Sequence, residues 1–447
     1  MSSMQAQRTE QGQSPVDVSI ATEPNNIEAV PTLLKEITQA FDILTTSKEG
    51  RKDLLAKCRT LVQALETPRE TMIYHCWAQT GAMAGLNFGV DSGLWTLMAQ
   101  NGDKPQRVGE LAAKLGVDHL LLSRLMRHLS AMGYLIEIGV DEYRLTNYTR
   151  AMSIPVIGNG YLAMLSCTSA GPMRFHEFSR KRGWVNPTDA KDTAMMYAYG
   201  TNMDTFAWQQ SLGYGTHFND HLSGYALGLV PWMAPSFYPV KERLIDGANT
   251  DPEAPFLVDI GGNVGHDLEL FHKFYPSVPG KLILQDLPVV IGQIRNLNPA
   301  ILRMEYDFHT KQPVDGKAPT APQCLFSGGE NTYSKPLGAR AYYMHNCLHD
   351  WPDDVCERIL AQVKAAMKTG YSRLLIHEHV IPETGAYWEA TALDMVMLTL
   401  LSAHERTHAA WYNLIETRAG LNINQIWSGG KGSQSLIECE LPINEAN

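Results

Sequence analysis

The chain has 447 residues, 44% of them apolar and 19% charged, with a formal net charge of −10 at pH 7. That length exceeds what one hydrophobic core usually supports, so two domains are expected, and the acidic balance argues against nucleic acid or an anionic membrane as partner. Cys58, Cys76, Cys167, Cys324, Cys347, Cys356 and Cys439 contain no CxxC pair, which predicts reduced structural thiols and no metal site.

In chain order, residues 1–26 are polar and lack the basic start and apolar centre of a signal peptide, so they are expected to be disordered and the protein cytoplasmic. Between Asn26 and Thr67 the apolar spacing predicts two helices. Within Tyr74 to Asn147 the sequence reads as a helix, a turn at Gly116, a second helix from near Asp118, and a hairpin around Gly139 to Glu142. This is the outline of a winged helix-turn-helix, but Ser123, Arg124, Arg127 and His128 make too little basic surface for DNA. Residues 155–245 are helical and rich in Met and aromatic side chains, including Met196, Phe218 and Trp232. Such residues usually belong to a core, yet their density here also fits a wall around a flat apolar substrate.

From Pro255 onward strands and helices alternate, which predicts an α/β, doubly wound parallel sheet with ligands at the carboxyl ends of its strands. FLVDIGGNVG, residues 256–265, is a buried strand entering a glycine turn, with a helix expected over His266 to Phe274. Asp286, ending LILQD, is placed to accept hydrogen bonds from ribose hydroxyls. The loop departs from GxGxxG, so it suits an uncharged nucleoside with an amino-acid tail, such as S-adenosylmethionine, or no ligand at all. Further on, in LHDWPDD, the strand is expected to end at Leu348 and a helix to begin within a residue of Trp351. Asp350, Asp353 and Asp354 suit helix capping, whereas His349 does not. The helix dipole would keep His349 neutral and able to accept a proton. The stretch Leu393 to Ala403 is too short to span a bilayer and contains Asp394.

Several motifs in order, LVDIGGNVG, LQDLP, YDF, LHDWPDD, LLIHEHVIP and ERTHAAW, make residues 70–440 resemble the class I S-adenosylmethionine-dependent O-methyltransferases of plants and fungi, which act on small aromatic molecules. The resemblance implies that the winged-helix unit is a dimerisation domain, giving a homodimer. It also implies His349 as general base, flanked by Glu378 and Glu405. Gly261, Gly262 and Gly265 would face the cofactor's amino-acid part, Asp286 and Leu287 the ribose, and Asp307, Phe308 and Trp351 the adenine. His345 occupies a position often basic in the family. Phe218, Asn219 and Leu222 match the substrate-lining segment, Leu222 standing where methionine is frequent, and Met196 and Trp232 would add to the same wall.

The expected organisation is a disordered 1–26, a winged-helix domain over 27–150, a helical substrate-lining region over 151–250 and a catalytic domain over 251–447. Residues 317–337, KAPTAPQCLFSGGENTYSKPL, interrupt a normally short connection. They read as a lid carrying Lys335 towards a substrate carbonyl, or as a translated intron. Some fungal relatives of the family resemble pericyclases, which bind the cofactor and catalyse dehydration and ring closure without methyl transfer. That stands as the alternative activity.

Overall fold

The computed structural model describes residues 16–44, 48–225, 227–315, 338–430 and 432–443. The 317–337 insertion, with Lys335, lies outside them. The chain divides after Ser153 into two compact units.

In the first unit, order begins before residue 26, because Asp17 caps a short turn over Val18–Thr22, and the Asn25 and Asn26 amides donate to Glu66 and Ala64. Helices α1 (Val30–Leu44) and α2 (Lys48–Leu65) follow as the apolar spacing predicts. The winged element comprises α3 (Val108–Leu115), α4 (His119–Ala131), and a hairpin of β1 (Leu135–Gly139) and β2 (Glu142–Leu145). Gly116 ends α3 at φ 68°, a conformation that glycine adopts without Cβ strain. Asp118 accepts from the Leu121 amide at 2.8 Å to start α4.

The second unit carries a seven-stranded sheet. Its strands are β3 (Pro255–Ile260), β4 (Lys281–Asp286), β5 (Ile301–Glu305), β6 (Ala341–His345), β7 (Arg373–Glu378), β8 (Asn422–Ser428) and β9 (Ser435–Glu440). The order is β8-β9-β7-β6-β3-β4-β5. The five strands from β7 to β5 are parallel, and β9 runs antiparallel to both its neighbours, β7 and β8. The expected doubly wound sheet therefore has one antiparallel strand, next to an edge strand β8 that points the same way as the central five. The order in which strands join the sheet reverses between the parallel neighbours β3 and β6, the switch point at whose carboxyl ends such sheets bind ligands.

Each central strand is buried on both faces, so alternate residues feed two cores. Val258, Ile260, Tyr342, Met344, Leu374 and Ile376 pack on one, and Leu257, Leu282, Leu284, Tyr343 and Leu375 on the other. Trp232 is part of this second core and not of the substrate wall. Its indole is 1% exposed and stacks on Tyr343 and Phe271 with centroids 5.0 and 5.7 Å apart. Three further helices frame the site: α5 (Gly215–Tyr225), α6 (His266–Phe274), whose bounds match the sequence expectation, and α7 (Asp353–Ala366). A fourth, α8 (Trp388–Leu401), is apolar nearly all round.

Candidate functional site

The loop after β3 is shaped by residues that only small or polar side chains can replace. Gly261, Asn263 and Gly265 have φ of 72°, 53° and 92°. A Cβ on Gly262 would lie 2.4 Å from Asp259 Oδ2, so the backbone there can approach a ligand only as glycine. Asp286 ties this loop to β4, since Oδ2 accepts from the Asn263 amide at 2.8 Å and Oδ1 from the Leu287 amide at 2.7 Å. Burial pushes its carboxyl up to about 6 although both amides pull the other way. Each oxygen keeps a lone pair, and among the described residues no cation pairs with it, the donor-seeking state that a ribose diol satisfies. Asp307 is exposed and accepts from the His309 amide at 3.0 Å, and Leu287 is also exposed. Phe308 is edge-on to Trp351 at 6.3 Å. Leu287 directly follows the end of β4, and Asp307 and Phe308 follow the end of β5 by two and three residues.

Strand β6 stops at His345, three residues earlier than the expected Leu348, because Asn346 takes φ 52°. The Cys347 and Leu348 amides then both donate to Glu378 Oε1, at 3.1 and 2.6 Å, and Leu348–Asp350 close a single 3-10 turn. His349 is thus presented on a turn pinned from below by a buried carboxylate, not at a strand end. Its Nδ1 bonds Glu405 Oε1 at 2.6 Å, and its Nε2 lies 3.4 Å from Asp350 Oδ1. Arg406, fully buried, holds the turn from the other side, donating to the Leu348 and Trp351 carbonyls and to Asp353 Oδ1, each at 2.8–2.9 Å. One atom each of His349, Glu378 and Glu405 lie within 4.8 Å, the spacing of a three-ligand metal site. One oxygen of each carboxylate is engaged, Glu378 Oε1 with the two amides and Glu405 Oε1 with His349 Nδ1, while Oε2 of both is buried without a hydrogen-bond partner among the described residues.

A cavity of about 240 Å³ opens on this turn. Gly261, Gly262 and Asn263 line it together with His345, whose ring nitrogens are held by Asp267 Oδ2 at 2.6 Å and Gln434 Oε1 at 2.8 Å. His349 and Asp350 line it as well, with Phe218, Leu222, Val396 and Leu400 as apolar wall. Of the expected substrate residues, Phe218 and Leu222 line this space, whereas Met196 packs behind it against Leu400. Asn219 is turned to Gln293 at 3.1 Å and to Asn263 at 3.5 Å, bracing the glycine loop. Asp350, which reads as a helix cap in the sequence, lines the cavity instead, because α7 begins only at Asp353.

The expected neutral imidazole is overturned. Burial alone would lower the His349 pKa, but the Asp350 charge, the Glu405 hydrogen bond and the Glu405 and Glu378 charges raise it to about 10. Burial likewise pushes Asp350 up to about 7 and raises Glu378. Three carboxyls within a few ångströms outweigh a helix terminus that begins four residues further on. In the free protein the cluster therefore holds its proton tightly, and a cation bound nearby favours release. Because the base must be unprotonated, the neutral fraction grows with pH, so kcat/KM is expected to rise from neutral pH towards about 10. Glu405→Gln removes a charge that raises this pKa, and should move the rising limb to lower pH. A limb left in place by that variant would show that His349 does not set the profile.

An O-methyltransferase domain model matches residues 252–422. O-methyltransferase mfmE of Annulohypoxylon moriforme is 32% identical over 85% of this chain and 88% of its own length. The chain belongs to the O-methyltransferase family. By that membership it is an S-adenosylmethionine-dependent enzyme. Among solved structures, a pericyclic reaction enzyme is 28% identical with a TM-score of 0.77, covering 93% of this chain and all of that one. The complex of LepI with S-adenosylmethionine matches equally well, at 28% identity and TM-score 0.77 over 93% and 99% of the chains. In this O-methyltransferase Gly261, Gly262 and Asn263 of the glycine loop line the same cavity as His349 and Asp350.

Sequence reasoning missed Asp350, Asp267 and Tyr225 among the cavity residues. Only Asp350 carried a signal, its place beside His349.

Proposed function

We propose that the protein transfers the methyl group of S-adenosylmethionine to a hydroxyl of a small, largely apolar aromatic or polyketide-derived metabolite. One observation carries this: His349, paired with the buried Glu405, lines the same largely apolar cavity as Gly261, Gly262 and Asn263 of the glycine loop. The cofactor supplies an activated methyl group on a sulfonium. Gly261, Gly262 and Asn263 would hold its amino-acid part, Asp286 would accept from the ribose, and Phe308 and Trp351 would border the adenine. The apolar wall excludes water and orients the acceptor, so alignment provides much of the rate. As the acceptor oxygen forms its bond to carbon, the carbon–sulfur bond breaks and the hydroxyl proton passes to His349 Nε2. Glu405 at Nδ1 holds the ring and stabilises the imidazolium, and Asp350 shares the proton.

The likeness to a pericyclic reaction enzyme favours a second reading, ring closure within the same cavity with the cofactor retained. Incubation with cofactor and a panel of phenolic and enolic acceptors separates the two. Product gaining one methyl mass with stoichiometric S-adenosylhomocysteine is the expected result, and a rearranged product of unchanged mass with intact cofactor would replace it by the second. The protein works as a homodimer through its first unit, in the cytoplasm. Among the described residues no helix is long and apolar enough to cross a membrane. Chromatography with light scattering at 99 kDa, twice the chain mass of 49.7 kDa, tests the assembly.

A further inference from the structure

Tyr225, at the end of α5, places its hydroxyl 2.7 Å from Nε2 of His379. His379 directly follows Glu378 at the end of β7, and its carbonyl accepts the Trp411 indole N–H at 2.9 Å, which fixes the backbone there. Burial holds the His379 imidazole below its usual pKa, and burial with the Glu405 and Glu389 charges raises the Tyr225 phenol. Both groups are therefore neutral across the physiological range. The pair lies close to the catalytic cluster, since the Glu405 charge reaches both partners and that of His349 reaches His379. Yet neither takes part in the proton transfer or in the nucleoside cradle.

Tyr225 lines the same cavity as His349 and Asp350, together with the apolar side chains of Phe218, Leu222, Val396 and Leu400. One hydrogen bond to a neutral imidazole uses half of what a phenol can offer. Whichever partner donates, the tyrosine oxygen keeps a lone pair or a proton for a second contact. In an apolar cavity that contact is costly to leave unmade once water is expelled, so a ligand must bring a polar atom to it.

We propose that Tyr225, oriented by His379, is a second polar anchor for the substrate and binds an oxygen other than the one methylated at His349. The acceptor class is thereby narrowed to aromatic or enolic compounds carrying a second oxygen, carbonyl or hydroxyl, on the same fused ring system. This rests on the cavity being the acceptor site, as in the reading above. Tyr225 contacts substrate directly, and His379 is a positioning residue that acts through it.

The test uses the full chain saturated with S-adenosylhomocysteine, so that binding is measured without turnover. The probes are 1-hydroxyanthraquinone, which carries a second oxygen beside its hydroxyl, and 1-anthrol, which does not. Tyr225→Phe is expected to weaken the first by about tenfold and the second by less than about twofold. His379→Leu should reproduce part of that selective loss, His379→Gln should restore it, and Tyr225→Phe combined with His379→Leu should be no worse than Tyr225→Phe alone. Equal weakening of both probes, no weakening of either, or failure of both to bind the unaltered protein overturns the proposal. A binding result of the expected form with no methylated product would instead sink only the methyl-transfer reading.

Discussion

Methyl transfer by His349→Ala is expected to fall by about 10²–10⁴-fold, with affinity for S-adenosylmethionine changed by less than about twofold. The split follows from the geometry. His349 is the proposed base for the acceptor, whereas the proposed cofactor contacts are Gly261, Gly262, Asn263 and Asp286, none of which bonds to it. The size follows from what the imidazole does: its removal deletes the proton acceptor but leaves alignment and the activated methyl group in place. The substitution also leaves the Glu405 carboxylate buried without its 2.6 Å partner, so the variant will lose some stability. His349→Gln keeps a hydrogen-bond donor towards Glu405 and should show the same rate loss with less destabilisation. Rates from single-turnover assays and cofactor affinities from calorimetry decide the matter. A fully active His349→Ala would assign the proton transfer to Asp350 or to solvent.

Arg406→Ala is expected to destabilise the second unit by about 3–5 kcal/mol, the usual consequence of removing one partner from a buried ion pair. The guanidinium is 0% exposed and answers two carbonyls of the catalytic turn, the Asp353 carboxylate and the Cys356 sulfur, while lying 5.2 Å from the Trp411 ring. Alanine strands all of these at once. Arg418, at 3.5 Å from Asp353, offsets only part of the charge. Lysine cannot reproduce the fork, so Arg406→Lys should recover little. Because Leu348 and Trp351 flank His349, the surviving folded fraction should also lose activity. Urea unfolding of both variants checks this, and a change below about 1 kcal/mol would show that the turn holds itself.

The local chemistry of the site was legible because it is written in contiguous residues. FLVDIGGNVG contains its own strand, its positive-φ turn and the start of its helix, and α6 spans the residues that its spacing marks. The winged element was legible for the same reason, as Gly116 and Asp118 are the stop and start signals of adjacent helices. Trp232 was not, since aromatic density says that a side chain is buried without saying whether it faces a cavity or a sheet. Its stack on Tyr343 settles that only once β6 is in place. The end of β6 was misread because Asn346 turns the chain by a conformation that its neighbours do not announce.

By itself the sequence determined the α/β alternation, the turn of the glycine loop and the helix that follows it, all of which depend on residues near one another in the chain. Only the tertiary structure decided the protonation of His349, the place of Asp350 in the cavity and the pairing of Tyr225 with His379. The last two partners are 154 residues apart, and the carboxylates that set the imidazole's charge come from 348–350, the end of β7 and the segment before Arg406. Electrostatic energy depends on distance in space and on exclusion of water, and neither quantity exists until the sheet has brought those segments together.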